Sequence, residues 1–118
     1  MTAPRTTMLA VSVLVFSAID SRADGAAGAF LFTYPSHEHR AYLNGMTQGM
    51  EWVNSALEHG GREAIFCPPR QVPIAHEQYV EILKSYVGRN KRAESDPMGW
   101  VLVRALRDTF PCPPQKPR

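Results

Sequence analysis

SHEHRAYLNGMTQGMEWVNSALEHGG, residues 36–61, decides the fold class. Tyr42, Met46, Gly49, Met50, Val53 and Leu57 recur at spacings of three and four, which is one face of an α-helix. Ser36 can cap the helix, and Glu38 sits in its first turn, where a carboxylate complements the helix dipole. Gly60-Gly61 ends it. Gly45 and Gly49 lie inside the helix, and each costs about 1 kcal/mol against alanine. Something should offset that cost, and close packing on a neighbouring helix is the simplest expectation.

Arg62 to Pro73 reads as a connector. Within it Cys67-Pro68-Pro69 is extended and stiff, because proline restricts both itself and the residue before it. Ile74 to Val87 is expected as a second helix, with Ala75, Tyr79, Ile82, Leu83 and Tyr86 inward, Pro73 at its first position and Gly88 at its end. Gly88 to Ser95 reads as a basic polar loop carrying Arg89, Lys91 and Arg92. Asp96-Pro97 should start a third helix, a polar cap followed by proline. Its apolar face is Val101, Leu102, Ala105 and Leu106, joined by Phe110, and Pro111 stops it. No alternating pattern supports a strand. The expected fold is therefore all-α: a small disulfide-stapled bundle of three to four helices over residues 36–114. Residues 24–35 are expected to be a flexible, frayed N-terminus that docks Phe30 to Phe32, and 115–118 a tail.

The start of the chain reads differently. Met8 to Ile19 is an apolar run of about twelve residues, the length of a signal-peptide core and short of the roughly 20 needed to span a bilayer. Ser21-Arg22-Ala23 places small residues where a signal peptidase needs them. Residues 1–23 are thus expected to be removed, leaving Asp24 first and a domain of about 95 residues. Such a domain buries only about 60–65% of its unfolded surface, so a covalent staple would help. Export puts Cys67 and Cys112 in an oxidising compartment. Cys67 precedes the second helix and Cys112 follows the third, so a bridge between them is geometrically reasonable. The competing reading is a reactive thiol with His59 or His76 as its base.

Little else suggests chemistry. His37 and His39 are two apart and diverge on a helix, and neither HExxH nor CxxC occurs. The four histidines are expected at the surface without a metal. There is no GxSxG and no phosphate-binding glycine loop. Trp52 and Trp100 are expected in the core; if exposed, either could anchor an interface. The net charge of the 118-residue chain is +2. With no basic stripe carrying interleaved aromatics, nucleic acid is not an expected partner. No run after the leader could enter a membrane.

Three segments together resemble a known family: Tyr42-Leu43-Asn44-Gly45, Phe66-Cys67-Pro68-Pro69-Arg70-Gln71-Val72, and Ala105-Leu106-Arg107-Asp108-Thr109-Phe110-Pro111-Cys112. Their order is similar to that of the Rap/Tai family of type VI secretion immunity proteins, over about residues 39 to 114. The family also carries a further cysteine pair; here His39 stands near the first of those places. The resemblance implies a periplasmic helical protein, not an enzyme and without cofactor, that binds a peptidoglycan amidase toxin and blocks its active site. Arg89, Lys91 and Arg92 are the candidate partner-binding residues. The alternative is a non-catalytic envelope protein with the same helical domain and no toxin partner, dimerising through Gly45 and Gly49.

Overall fold

The computed structural model describes residues 25–114 and Thr2; the expected leader, its cleavage site and the tail 115–118 lie outside the described residues. Four α-helices and one short 3-10 turn make up the described chain. They are α1 (Ala27–Thr33), α2 (His37–His59), α3 (His76–Arg89), the turn Lys91–Ser95, and α4 (Met98–Thr109). The fold is the expected all-α bundle, and Cys67 is bonded to Cys112.

The core is built around α4. Met98, Val101, Leu102, Ala105 and Leu106 are all fully buried, and their spacing keeps them on one face. Against them pack Tyr79, Val80, Leu83 and Val87 of α3. α3 begins two residues later than the sequence suggests, with Ala75 outside it and exposed, and runs on through Gly88 to Arg89. Its first turn is secured by the Gln78 side chain, which accepts the Ala75 N–H at 2.7 Å. Asp108 near the end of α4 pairs with Arg89 at the end of α3. Phe110, just past α4, lines one groove together with Ile82 of α3.

Residues 24–35 require a correction. From Ala27 to Thr33 the chain is a helix, not a frayed end, and Ala27, Gly28 and Phe30 are buried. The Ala27 N–H donates to the Asp96 carbonyl at 2.9 Å, and the Met98 N–H donates to the Gly25 carbonyl at 3.0 Å. This short antiparallel bridge between Ala26 and Pro97 attaches the N-terminal segment to the start of α4. It also changes the role of Asp96. Its carboxylate does not cap α4 but lies 3.6 Å from Arg104. Gly28 permits the contact with the 3-10 turn: a Cβ there would lie 3.0 Å from both Glu94 Cβ and the Glu94 carbonyl oxygen. Phe30 enters a cluster of rings with Tyr34, His39 and Tyr42. Phe32 points away and is exposed. The Tyr34–Pro35 peptide is cis.

α2 is capped as its sequence suggests, with the Ser36 hydroxyl accepting the His39 N–H at 3.1 Å. Its buried face, however, is rotated by about one residue from the expected one. Leu43, Thr47 and Asn54 are buried, Tyr42, Met46 and Met50 flank them, and Val53 is exposed. Gly45 and Gly49 face open space, with nothing within 4 Å of a Cβ at either position. The expected close approach of another backbone is absent.

Gly28→Val should therefore detach α1, costing about 1–3 kcal/mol by overpacking. Hydrogen exchange tests this: the Ala27 amide should lose its protection. Unchanged protection would show that the Gly28 contact does not hold the helix.

Candidate partner-binding surface

The irregular connector between α2 and α3 is held from two sides. Phe66 is fully buried. On the α2 side, Asn54 uses both ends of its amide. Its Nδ2 donates to the Phe66 carbonyl at 2.8 Å, and its Oδ1 accepts the Ile65 N–H at 2.8 Å. On the α4 side, the Cys67 N–H donates to the Phe110 carbonyl at 2.8 Å. The disulfide then joins Cys67 to Cys112, with Cα atoms 4.8 Å apart and 45 residues between them in sequence. A loop of that length corresponds to about 4 kcal/mol in the chain-entropy model. Asn54 is a buried polar residue that leaves nothing unsatisfied; removing it would strand a donor and an acceptor.

From this base residues 68–74 project as Pro-Pro-Arg-Gln-Val-Pro-Ile. Pro68, Pro69 and Pro73 limit the conformations available to the loop and supply no N–H groups. Val72 is 62% exposed, and Arg70 and Gln71 are exposed beside it. A groove lies on each side. The one toward α2, about 710 Å³, is walled by Glu51, Ser55 and Glu58. The one toward α3 and α4, about 490 Å³, is floored by Ile74, Ile82 and Phe110, with Glu77 and Glu81 at its rim. Pro69, Val72, Pro73 and Ile74 line both grooves, so the loop is a ridge between two depressions.

A polar seam holds α2 beside α3. Arg40 pairs with Glu77 at 3.0 Å. His76 bridges two elements: its Nδ1 lies 2.6 Å from Asn44 Oδ1 and its Nε2 lies 2.5 Å from the Tyr34 hydroxyl. A neutral ring satisfies both, donating to Asn44 and accepting from Tyr34. The Tyr79 hydroxyl donates to Glu51 at 2.7 Å. Burial, with that carboxylate adding to it, raises the Tyr79 pKa and keeps the phenol protonated. A backbone hydrogen bond, then Arg40, lowers the Glu77 pKa.

These contacts revise the reading of the histidines as surface groups. His76 and His39 are half-buried, and His39 lies edge-on to Phe30 with Thr33 at 3.2 Å; His37 and His59 are exposed. Among the described residues no group of three or more His, Cys, Asp or Glu side chains could hold a metal ion. Both cysteines are in the disulfide, which removes the reactive-thiol reading.

The basic candidates sit elsewhere. Arg89 ends α3 and pairs with Asp108 at 3.0 Å, and Lys91 lies 3.8 Å from Glu94. Arg92 is exposed and makes no ion pair among the described residues. What reads as a loop from 91 to 95 is a 3-10 turn with Ala93 buried, packed on α1. The two tryptophans are not core residues. Trp100 is exposed on α4 with the Arg104 guanidinium 4.7 Å from its ring, and Trp52 is exposed on α2.

Sequence reasoning missed Asn54 and the 68–74 ridge. The signal for Asn54 was present: an asparagine on the inner half of an amphipathic helix, shortly before an irregular Phe-Cys-Pro segment whose backbone needs partners. Searches of family models, curated proteins and solved structures return no match to this chain.

Asn54→Ala is expected to cost about 2–3 kcal/mol in chemical denaturation, since a buried carbonyl and a part-buried N–H lose their partners. Glu58→Ala, on an exposed wall of the same groove, should change stability by less than about 0.5 kcal/mol. Equal costs would mean that Asn54 does not hold the connector.

Proposed function

We propose that this chain is an exported, periplasmic binding protein that neutralises a peptidoglycan amidase delivered by type VI secretion, by covering the enzyme's active site. Two things support the reading: the ordered motif resemblance to Rap/Tai immunity proteins, and the shape of the 68–74 ridge. The ridge is the observation that carries it. An inhibitor that works by occlusion needs a protruding element to enter a concave site, and it binds tightly only if that element loses little freedom on binding. The loop 68–74 meets both needs. It projects, it presents Val72, it is rich in proline, and its base is tied by a disulfide and three hydrogen bonds.

The ridge is a better candidate than the basic cluster. Arg89 and Lys91 already share their charge with Asp108 and Glu94, which leaves Arg92 as the cation available to a partner from that end. No chemistry is required of the inhibitor, so its own residues need only fit.

Co-expression in the periplasm tests the proposal. The wild-type chain should prevent lysis by an amidase encoded beside its gene, and Val72→Asp should weaken binding at least about tenfold without unfolding the protein. Loss of protection with Arg92→Glu but not with Val72→Asp would move the binding surface to the 3-10 turn. If no neighbouring hydrolase is bound or neutralised, the immunity reading fails.

A further inference from the structure

The groove that the ridge shares with α3 and α4 has an apolar floor and a charged rim. Ile74, Ile82 and Phe110 are half-buried at its base, and Val72 of the ridge is exposed at its wall. Glu77 and Glu81 line it as well, both exposed. They stand one turn apart on α3, which brings their side chains together on one helix face. Across the ridge, Glu51 and Glu58 line the second groove and make no ion pair among the described residues. Arg70, on the ridge itself, is the one cation lining either groove among the described residues. The 118-residue chain nevertheless carries a net charge of +2. The ridge and its flanks are therefore acidic on a chain that is slightly basic as a whole.

Taking the 68–74 ridge as the partner-binding element, a reading on which this one rests, we propose that the groove toward α3 and α4 receives a lysine or arginine side chain from a basic rim on the partner protein. Such a side chain has an apolar stem and a charged head, and the groove has a place for each. The stem lies on Ile82 and Phe110, and the head reaches Glu81 and Glu77. A wholly apolar side chain would cover the floor while drawing two carboxylates out of water without a partner, which is unfavourable. An acidic one would meet like charge from both flanks of the ridge. The ion pairs already at the rim do not close it. Lys84 is 4.0 Å from Glu81, and Arg40 pairs with Glu77 from the α2 side; in each pair both side chains are half or more exposed. Exposed pairs of this kind contribute little, so a partner's cation can share or displace them. A partner seated on the 3-10 turn at Arg92 would need the opposite charge, and charge reversal tells the two surfaces apart.

Two measurements on the oxidised protein, purified after expression in the periplasm, test it. In the first, a hexa-arginine peptide is titrated while backbone amide resonances are followed by NMR. The peptide should shift the amides of Val72, Glu81 and Ile82, and Glu81→Lys combined with Glu58→Lys should weaken its binding at least about tenfold. Glu63→Lys makes the same kind of charge change at an exposed position outside both grooves and should alter binding by less than about twofold. Shifts scattered over the surface, an equal loss with Glu63→Lys, or binding of a hexaglutamate peptide beside Arg70 would overturn the proposal. In the second, association with the amidase encoded beside the gene should slow at least about tenfold between about 0.05 and about 0.5 M salt, and Glu81→Lys should slow it at least about threefold. Arg92→Glu should leave it unchanged. An amidase that binds tightly and is indifferent to Glu58→Lys and Glu81→Lys would overturn the basic rim while leaving the immunity reading in place. If the peptide result holds and the amidase does not bind, the groove takes a different basic protein and only the immunity reading falls.

Discussion

The arrangement of this protein depends on how one short stretch of backbone, Ile65 to Cys67, is held from two sides. Asn54 reaches it from α2 with a donor and an acceptor, and the disulfide and the Phe110 carbonyl hold it to the exit of α4. Between these clamps Phe66 enters the core. These clamps hold the end of α2 to the α3–α4 pair, because the connector makes no helix or strand of its own. The 68–74 ridge inherits its position from the same base.

This constraint explains why α2 can be attached so lightly elsewhere. The close backbone packing of the fold is between α3 and α4, and between α1, the 3-10 turn and α4. α2 instead meets its neighbours through long or polar side chains: Arg40 to Glu77, Asn44 to His76, Glu51 to Tyr79, and Tyr42 to the Phe30 ring. Exposed ion pairs contribute little each, and a half-buried hydrogen bond about 1 kcal/mol. The seam therefore sets the register of α2, while the clamped connector and the apolar face of Leu43 supply much of its attachment. A helix held on one side in this way leaves its other side exposed, as Gly45, Gly49 and Trp52 are.

Much of this was legible in the sequence, and the failures have physical reasons. Helix periodicity, the Ser36 cap and the proline and glycine boundaries located α2, α3 and α4 to within about two residues, because those signals are local. The disulfide was legible from two cysteines flanking two helices. α1 was not: Ala27 to Thr33 is too short and too small to form a helix alone, and it is stabilised by Asp96, Met98 and Glu94, which are about 70 residues away. The face of α2 was misjudged because methionine and valine weigh heavily in a hydrophobic pattern, whereas the inner positions include Thr47 and Asn54. Trp52 and Trp100 were expected in the core because tryptophan is highly buried on average, and both are exposed. The candidate site was the least legible part. Arg89, Lys91 and Arg92 stand out by charge, and two of them lie beside carboxylates, Asp108 and Glu94, whereas the ridge is defined by what anchors its base rather than by its own composition.

Asn54 and the disulfide act on the same piece of native backbone. A disulfide that worked only by limiting the unfolded chain would be energetically independent of Asn54. A double-mutant cycle separates the two accounts: Asn54→Ala, the paired Cys67→Ser and Cys112→Ser substitution, and their combination, each measured by chemical denaturation. Shared anchoring predicts that the combined cost falls short of the sum by about 1 kcal/mol or more, since a connector released on one side gains less from the other. Costs that add to within about 0.5 kcal/mol would contradict it.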